Sequence, residues 1–112
     1  MRPMQLQVRE DRGWQIVEVV GVVDVQTAPE LRETLQSVQL GRGVRLVVDL
    51  DRVELLDSFG LGVLVGALKR ARTHGGQLAL VVTRERLRRV LEVTGLDAVL
   101  RLVGSVDEVL DA

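Results

Sequence analysis

The sequence predicts an α/β fold: a small, mostly parallel central β-sheet with an antiparallel edge strand and about four packed helices. Three observations carry this. Short apolar runs of strand length alternate with segments of helical periodicity, which implies right-handed crossovers and parallel strands. Two strand-like runs stand at the start on either side of Asp11-Arg12-Gly13, the arrangement of a hairpin. Glycines or capping patterns punctuate the boundaries that follow.

The elements follow in order. Leu6 and Val8 alternate with polar residues, as in a half-exposed strand, whereas Ile16, Val17, Val19 and Val20 form a denser run suited to a buried one. Thr27 and Glu30 match a capping box, Pro29 suits a first helical turn, and Ala28, Leu31, Leu35 and Val38 make the stripe of a helix ending near Gly41-Arg42-Gly43. Val44, Leu46, Val47, Val48 and Leu50 predict a central strand that feeds a loop. A helix from about Phe59 to Thr73 carries Leu61, Leu64, Val65, Leu68 and Ala71, with Lys69, Arg70 and Arg72 near its negative end and Gly75-Gly76 as its stop. Leu78, Leu80, Val81 and Val82 make the next strand. Arg84 to Thr94 forms a helix closing at Gly95, with Leu96 placed for the apolar contact of a Schellman end. Val99 to Val103 is read as a short strand, and Ser105 with Glu108 as the capping box of a last helix.

Length and composition narrow the function. A chain of 112 residues with 46% hydrophobic residues fits one domain spanning 1–112. Formal net charge is -1, and the only aromatics are Trp14 and Phe59, so neither a basic face nor a stacking platform for nucleic acid is expected. There is no cysteine, which excludes a disulfide framework and a thiolate nucleophile or metal site. No stretch approaches the roughly 20 apolar residues of a membrane span, and no signal core is seen, so the expectation is a cytoplasmic domain without a membrane partner.

One segment concentrates chemical interest. Val47 to Leu50 leads through Asp51-Arg52-Val53-Glu54-Leu55-Leu56-Asp57 to Ser58 at a helix start. Gly60, Gly62 and Gly66 then fall within the first turns of that helix, where each glycine costs about 1 kcal/mol relative to alanine. Close packing on the sheet or close approach of a partner would each account for them. Ser58 itself has two readings. It can be a plain N-cap, or it can be a phosphoacceptor, since a helix N-terminus tolerates a phosphate and its charge of about -1.5 to -2.

Asp57-Ser58-Phe59-Gly60-Leu61-Gly62-Val63-Leu64 resembles the D-S-x-G-L-G-x-L phosphorylation motif of the anti-sigma factor antagonists, which are single STAS domains. Gly21-Val22-Val23-Asp24-Val25-Gln26-Thr27-Ala28-Pro29-Glu30-Leu31 resembles that family's G-E-[LI]-D-x-x-T-A-P-x-L segment, and Thr94-Gly95-Leu96 its later T-G-L. The resemblance implies a STAS-type fold, no catalytic activity and partner switching. The unphosphorylated protein would bind a serine-kinase anti-sigma factor and free a sigma factor. The kinase, which holds the ATP and Mg, would phosphorylate Ser58, and a PP2C-type phosphatase would reverse this. Carried over by position, Asp24, Asp57, Ser58, Phe59, Gly60, Leu61 and Gly62 would form the partner-binding surface. Other STAS roles are the alternative: a scaffold of a stress-signalling assembly or a subunit of a lipid transporter. Two positions depart from the family pattern. Val22-Val23 replaces an acidic-aliphatic pair, and Phe59 takes a place where small residues are common, either as a partner anchor or, the reading preferred from sequence, as core.

Several other signals point elsewhere less well. Gly60-x-Gly62 with Gly66 lies inside a helix and lacks dinucleotide spacing. Ser58 is not in a G-x-S-x-G elbow, and the one histidine, His74, sits at a helix end beside two glycines. Asp49, Asp51, Glu54 and Asp57 lack the later lysine of an aspartate-phosphorylated receiver, so no metal or cofactor is expected. Arg84, Arg86, Arg88 and Arg89 read either as a solvated helix face or as a patch for an acidic partner.

Overall fold

The computed structural model describes residues 3–112. A hairpin opens the fold, with β1 (Met4–Asp11) antiparallel to β2 (Trp14–Val23). Its two-residue turn puts Arg12 at φ 51° and Gly13 at φ 81°, the doubly positive pair that matches the twist of the flanking strands. Helix α1 (Ala28–Val38) then crosses to β3 (Arg45–Leu56), α2 (Ser58–Thr73) to β4 (Gln77–Val81), and α3 (Glu85–Val93) to β5 (Arg101–Val103), followed by α4 (Val106–Leu110). The sheet order is β1-β2-β3-β4-β5, with every pair after the first parallel. This is the mostly parallel sheet with an antiparallel edge expected from the sequence.

Two apolar layers hold the sheet. On one face Val17, Val19, Leu46, Val48, Leu50, Leu78 and Leu80 pack under α1, α2 and α3. On the other, Ile16, Val47, Ala79, Val81 and Val103 meet Trp14 and Val109 of α4. Alternate residues of β3 and β4 therefore enter different cores, which is why these strands read as unbroken apolar runs.

Local details correct the sequence reading. Thr27 stands at the α1 N-cap but makes no capping bond, so no Thr27/Glu30 capping box forms. Its hydroxyl donates to the Val22 carbonyl at 2.8 Å and accepts the Asp24 amide at 2.9 Å, stitching the β2–α1 loop instead. The strand expected to end near Leu50 continues to Leu56, because β2 keeps pairing with it as far as Val23↔Leu56. Residues Leu96–Ala98 turn as a 3₁₀ helix after Gly95, at φ 75°, and shorten the last strand to Arg101–Val103. The Ser105 cap does form: its hydroxyl accepts the Glu108 amide at 3.1 Å, while Glu108 reaches the Gly104 amide at 2.7 Å, one residue earlier than in a standard box.

Candidate functional site

The parallel register of β2 and β3 builds the site. Val23 and Leu56 are partners at the carboxyl ends of the two strands, and the Asp57 amide donates to the Val23 carbonyl at 3.2 Å. The turn into α2 is thereby tied to the turn into α1, which brings Asp24 and Asp57 to the same edge of the sheet. Asp24 is held in its loop, accepting the Gln26 amide at 2.9 Å and the Thr27 amide at 3.1 Å.

Asp57, not Ser58, caps α2. Its Oδ1 accepts the Phe59 amide at 2.9 Å and the Gly60 amide at 3.1 Å. Ser58 is the first helical residue, is exposed, and its hydroxyl makes no hydrogen bond to any described residue. The plain N-cap explanation of this serine is thus removed: the cap is supplied one residue earlier.

The glycines divide. A Cβ on Gly60 would run into Leu56 Cδ1 and come within 2.8 Å of Val23 Cγ1, so Gly60 is a packing residue that lets α2 sit on the strand ends. It is buried, and this corrects its placement on a docking surface. Gly62 is exposed with nothing within 4 Å of a Cβ, and Gly66 would meet only Arg70 Nη1, at 3.5 Å. Leu61 is partly buried against the core. The α2 stripe that enters the core is Gly60, Val63, Leu64, Ala67 and Ala71: Leu64 and Ala71 are as read in the sequence, whereas Leu61, Val65 and Leu68 are only partly buried.

Phe59 is 54% exposed, which overturns its reading as core. At the second position of α2 its side chain points away from the sheet, the inward place being taken by Gly60. Two further apolar side chains escaped the sequence reading: Leu55, 51% exposed, and Val25, 55% exposed. Val25 had a visible signal, an apolar residue between Asp24 and Gln26 in a loop. Leu55 had none, because a register shift between Gly21 and Val22 breaks the alternation of β3 just before it. Val25, Leu55 and Phe59 belong to three segments that converge on the Ser58 edge of the sheet. They offer apolar contact area, with carboxylates of Asp24 and Asp57 among them.

His74 follows the far end of α2, sixteen positions along from Ser58, about 24 Å away at helical rise. The Asp57 carboxylate is committed to backbone amides. The carboxylates upstream are also engaged: Asp49 accepts the Asp51 amide at 3.1 Å, and Asp51 accepts both the Thr83 amide and its hydroxyl. The basic cluster on α3 is mixed. Arg84 and Arg88 donate to the carbonyls of Val53 and Val82, Arg89 pairs with Glu85, and Arg86 has no ionic partner among the described residues.

Fold and site together define a small α/β domain with an exposed serine where the central strand β3 turns into α2. The chain belongs to the STAS domain family, whose model matches residues 5–109, and within it to the anti-sigma factor antagonists. It is 40% identical over 84 residues to an anti-sigma-B factor antagonist of Listeria monocytogenes, covering 75% of this chain and 74% of that one. With the anti-sigma-B factor antagonist of Bacillus subtilis it shares 42% identity over 80 residues, 71% of this chain and 72% of the other. Among solved structures, an anti-sigma factor antagonist from Mycobacterium paratuberculosis superposes with a TM-score of 0.88 at 30% identity, over 96% of this chain and 92% of that one.

Proposed function

We propose that this chain is a bacterial, cytoplasmic anti-sigma factor antagonist. Unphosphorylated, it binds a serine-kinase anti-sigma factor and so frees a sigma factor. Phosphorylation of Ser58 by that kinase ends the complex, and a PP2C-type phosphatase restores it. The names carried by the relatives support the first part of this reading. The observation that carries the switch is the division of labour at the start of α2: Asp57 caps the helix and leaves the Ser58 hydroxyl exposed and unbonded.

The physical consequence is a surface that changes sign while the fold stays put. A hydroxyl can be covered by a partner at small cost if it finds one hydrogen bond. A phosphate at the same place would face the carboxylates of Asp57 and Asp24 and would need desolvating against Phe59, Leu55 and Val25. A penalty of about 3 kcal/mol from these sources weakens binding by about two orders of magnitude.

The test is intact mass after incubation with Mg-ATP and each serine-kinase anti-sigma factor of the source organism, with Ser58→Ala in parallel. One added phosphate that disappears in the variant is expected. Absence of any addition, with a stable complex to some other protein, would move the assignment to a STAS scaffold or a transporter subunit.

A further inference from the structure

Beyond Asp49, β3 runs on without β4. The two strands pair only from Arg45↔Gln77 to Asp49↔Val81, whereas β2 stays beside β3 as far as Leu56. Among the described residues, the edge of β3 turned away from β2 thus has no strand against it over its last residues. Helix α3 stands across the gap. The Arg84 guanidinium reaches into it to the Val53 carbonyl at 3.4 Å, so the β3 backbone presents hydrogen-bonding groups on this side. The near end is closed by the Thr83 amide and hydroxyl, which donate to Asp51 at 2.8 and 2.9 Å.

The gap is a groove of about 240 Å³. Leu55 and Leu56 form one wall, and Leu87 and Val90 the other, with Arg84 and Arg86 at the rim. Glu54 stands at the β3 irregularity and is the one carboxylate lining the groove among the described residues. Leu56, in its wall, is followed in the chain by Asp57 and Ser58, so the groove ends beside the start of the proposed partner surface. The Val53 carbonyl already takes Arg84; a helix laid here could not pair the other β3 edge groups, whereas an extended chain could.

We infer that this groove takes an extended segment of the partner protein, added as a strand along Val53–Leu56. An apolar side chain of that segment packs against Leu56, Leu87 and Val90, and an acidic one meets the unpartnered guanidinium of Arg86. Main-chain bonds supply the hold, and the alternating apolar and acidic side chains supply the choice of partner. The inference rests on the reading of the partner as a serine-kinase anti-sigma factor, and it explains how such a kinase is registered against Ser58.

The experiment is backbone amide hydrogen exchange of the wild-type chain, alone and with the kinase in Mg-ADP, together with affinities for Arg86→Glu and Arg86→Lys. Exchange at the amides of 53–56 should slow by about tenfold or more in the complex. Arg86→Glu, at an exposed position, should keep the wild-type melting temperature and weaken binding by about tenfold, with Arg86→Lys retaining most of the affinity. A tight complex whose 53–56 amides exchange as in the free chain overturns the inference, as does Arg86→Glu binding within twofold of wild type. Protection that grows with the concentration of the chain alone gives the groove to a second copy and overturns it too. If the wild-type chain binds no serine-kinase anti-sigma factor, the proposed function falls, and this inference with it.

Discussion

The Asp57 carboxylate accepts the Gly60 amide across the first turn of α2, at 3.1 Å. The same oxygen takes the Phe59 amide at 2.9 Å, so one aspartate satisfies two of the orphan donors at this helix end. Asp57→Ala should therefore cost about 1 kcal/mol of stability in urea unfolding, while Ser58→Ala should stay within about 0.5 kcal/mol of wild type. Equal losses from the two changes would return the capping role to Ser58.

Gly60 and Gly62 are two residues apart and should respond oppositely. Gly60→Ala drives a methyl into Leu56 and Val23, and overpacking of this kind costs about 1–3 kcal/mol. Gly62→Ala meets open space within a helix and should stabilise by about 0.5–1 kcal/mol. Thermal unfolding of the two variants beside wild type reads both signs.

Phe59 carries exposed apolar area beside the serine and is not one of the buried core residues. Phe59→Ala should leave the melting temperature unchanged and weaken binding to the partner kinase by about tenfold, as loss of an aromatic anchor does. Ser58→Asp should likewise fold normally and bind poorly, through charge instead of lost contact. Calorimetric titration of both variants, with circular dichroism as the control of folding, separates the two effects. A Ser58→Asp chain that binds like wild type would mean that charge at this helix end is not the switch.

Burial raises the Asp49 carboxyl above its ordinary value, and the nearby charges of Asp51 and Glu18 push the same way against the Asp51 amide bond. The folded chain then holds this proton to higher pH than the unfolded chain does. Asp49 contributes most favourably below the ordinary carboxylate range, and stability falls as pH rises from there through the raised folded value. Asp49→Asn keeps an oxygen for the Asp51 amide and removes the titration. The variant should gain on wild type as pH rises through that window, and the gap should then stay flat to neutrality. Unfolding midpoints across an acid-to-neutral pH series test this, and a gap that is flat throughout would mean that Asp49 titrates alike in both states.

The interior of the sheet was legible because its causes are local. Val47, Val48, Leu78 and Leu80 lie in runs too apolar for an exposed strand, and glycine at Gly75 and Gly95 stops helices wherever the chain packs. The Ser105 cap was legible for the same reason: it closes within four residues. The Thr27 box carried the same pattern and did not form. Its hydroxyl was drawn to Val22 and Asp24, a competition between neighbours that residue types alone do not rank.

The sequence by itself determined the α/β class, the order of elements and the position of the serine, since hydrophobic period and turn chemistry act over a few residues. Only the tertiary structure decided where each residue around that serine lies. Whether Gly60 is a packing contact or a docking surface depends on Leu56 and Val23 arriving beneath it from two other strands. Whether Phe59 is buried or exposed depends on which side of α2 meets the sheet, and the small Gly60 claims that side. The length of β3 beyond β4, and hence the groove beside Ser58, follows from unequal pairing of one strand with its two neighbours. Strand pairing is a long-range choice, made by burial of whole faces, and no window of the sequence contains both partners.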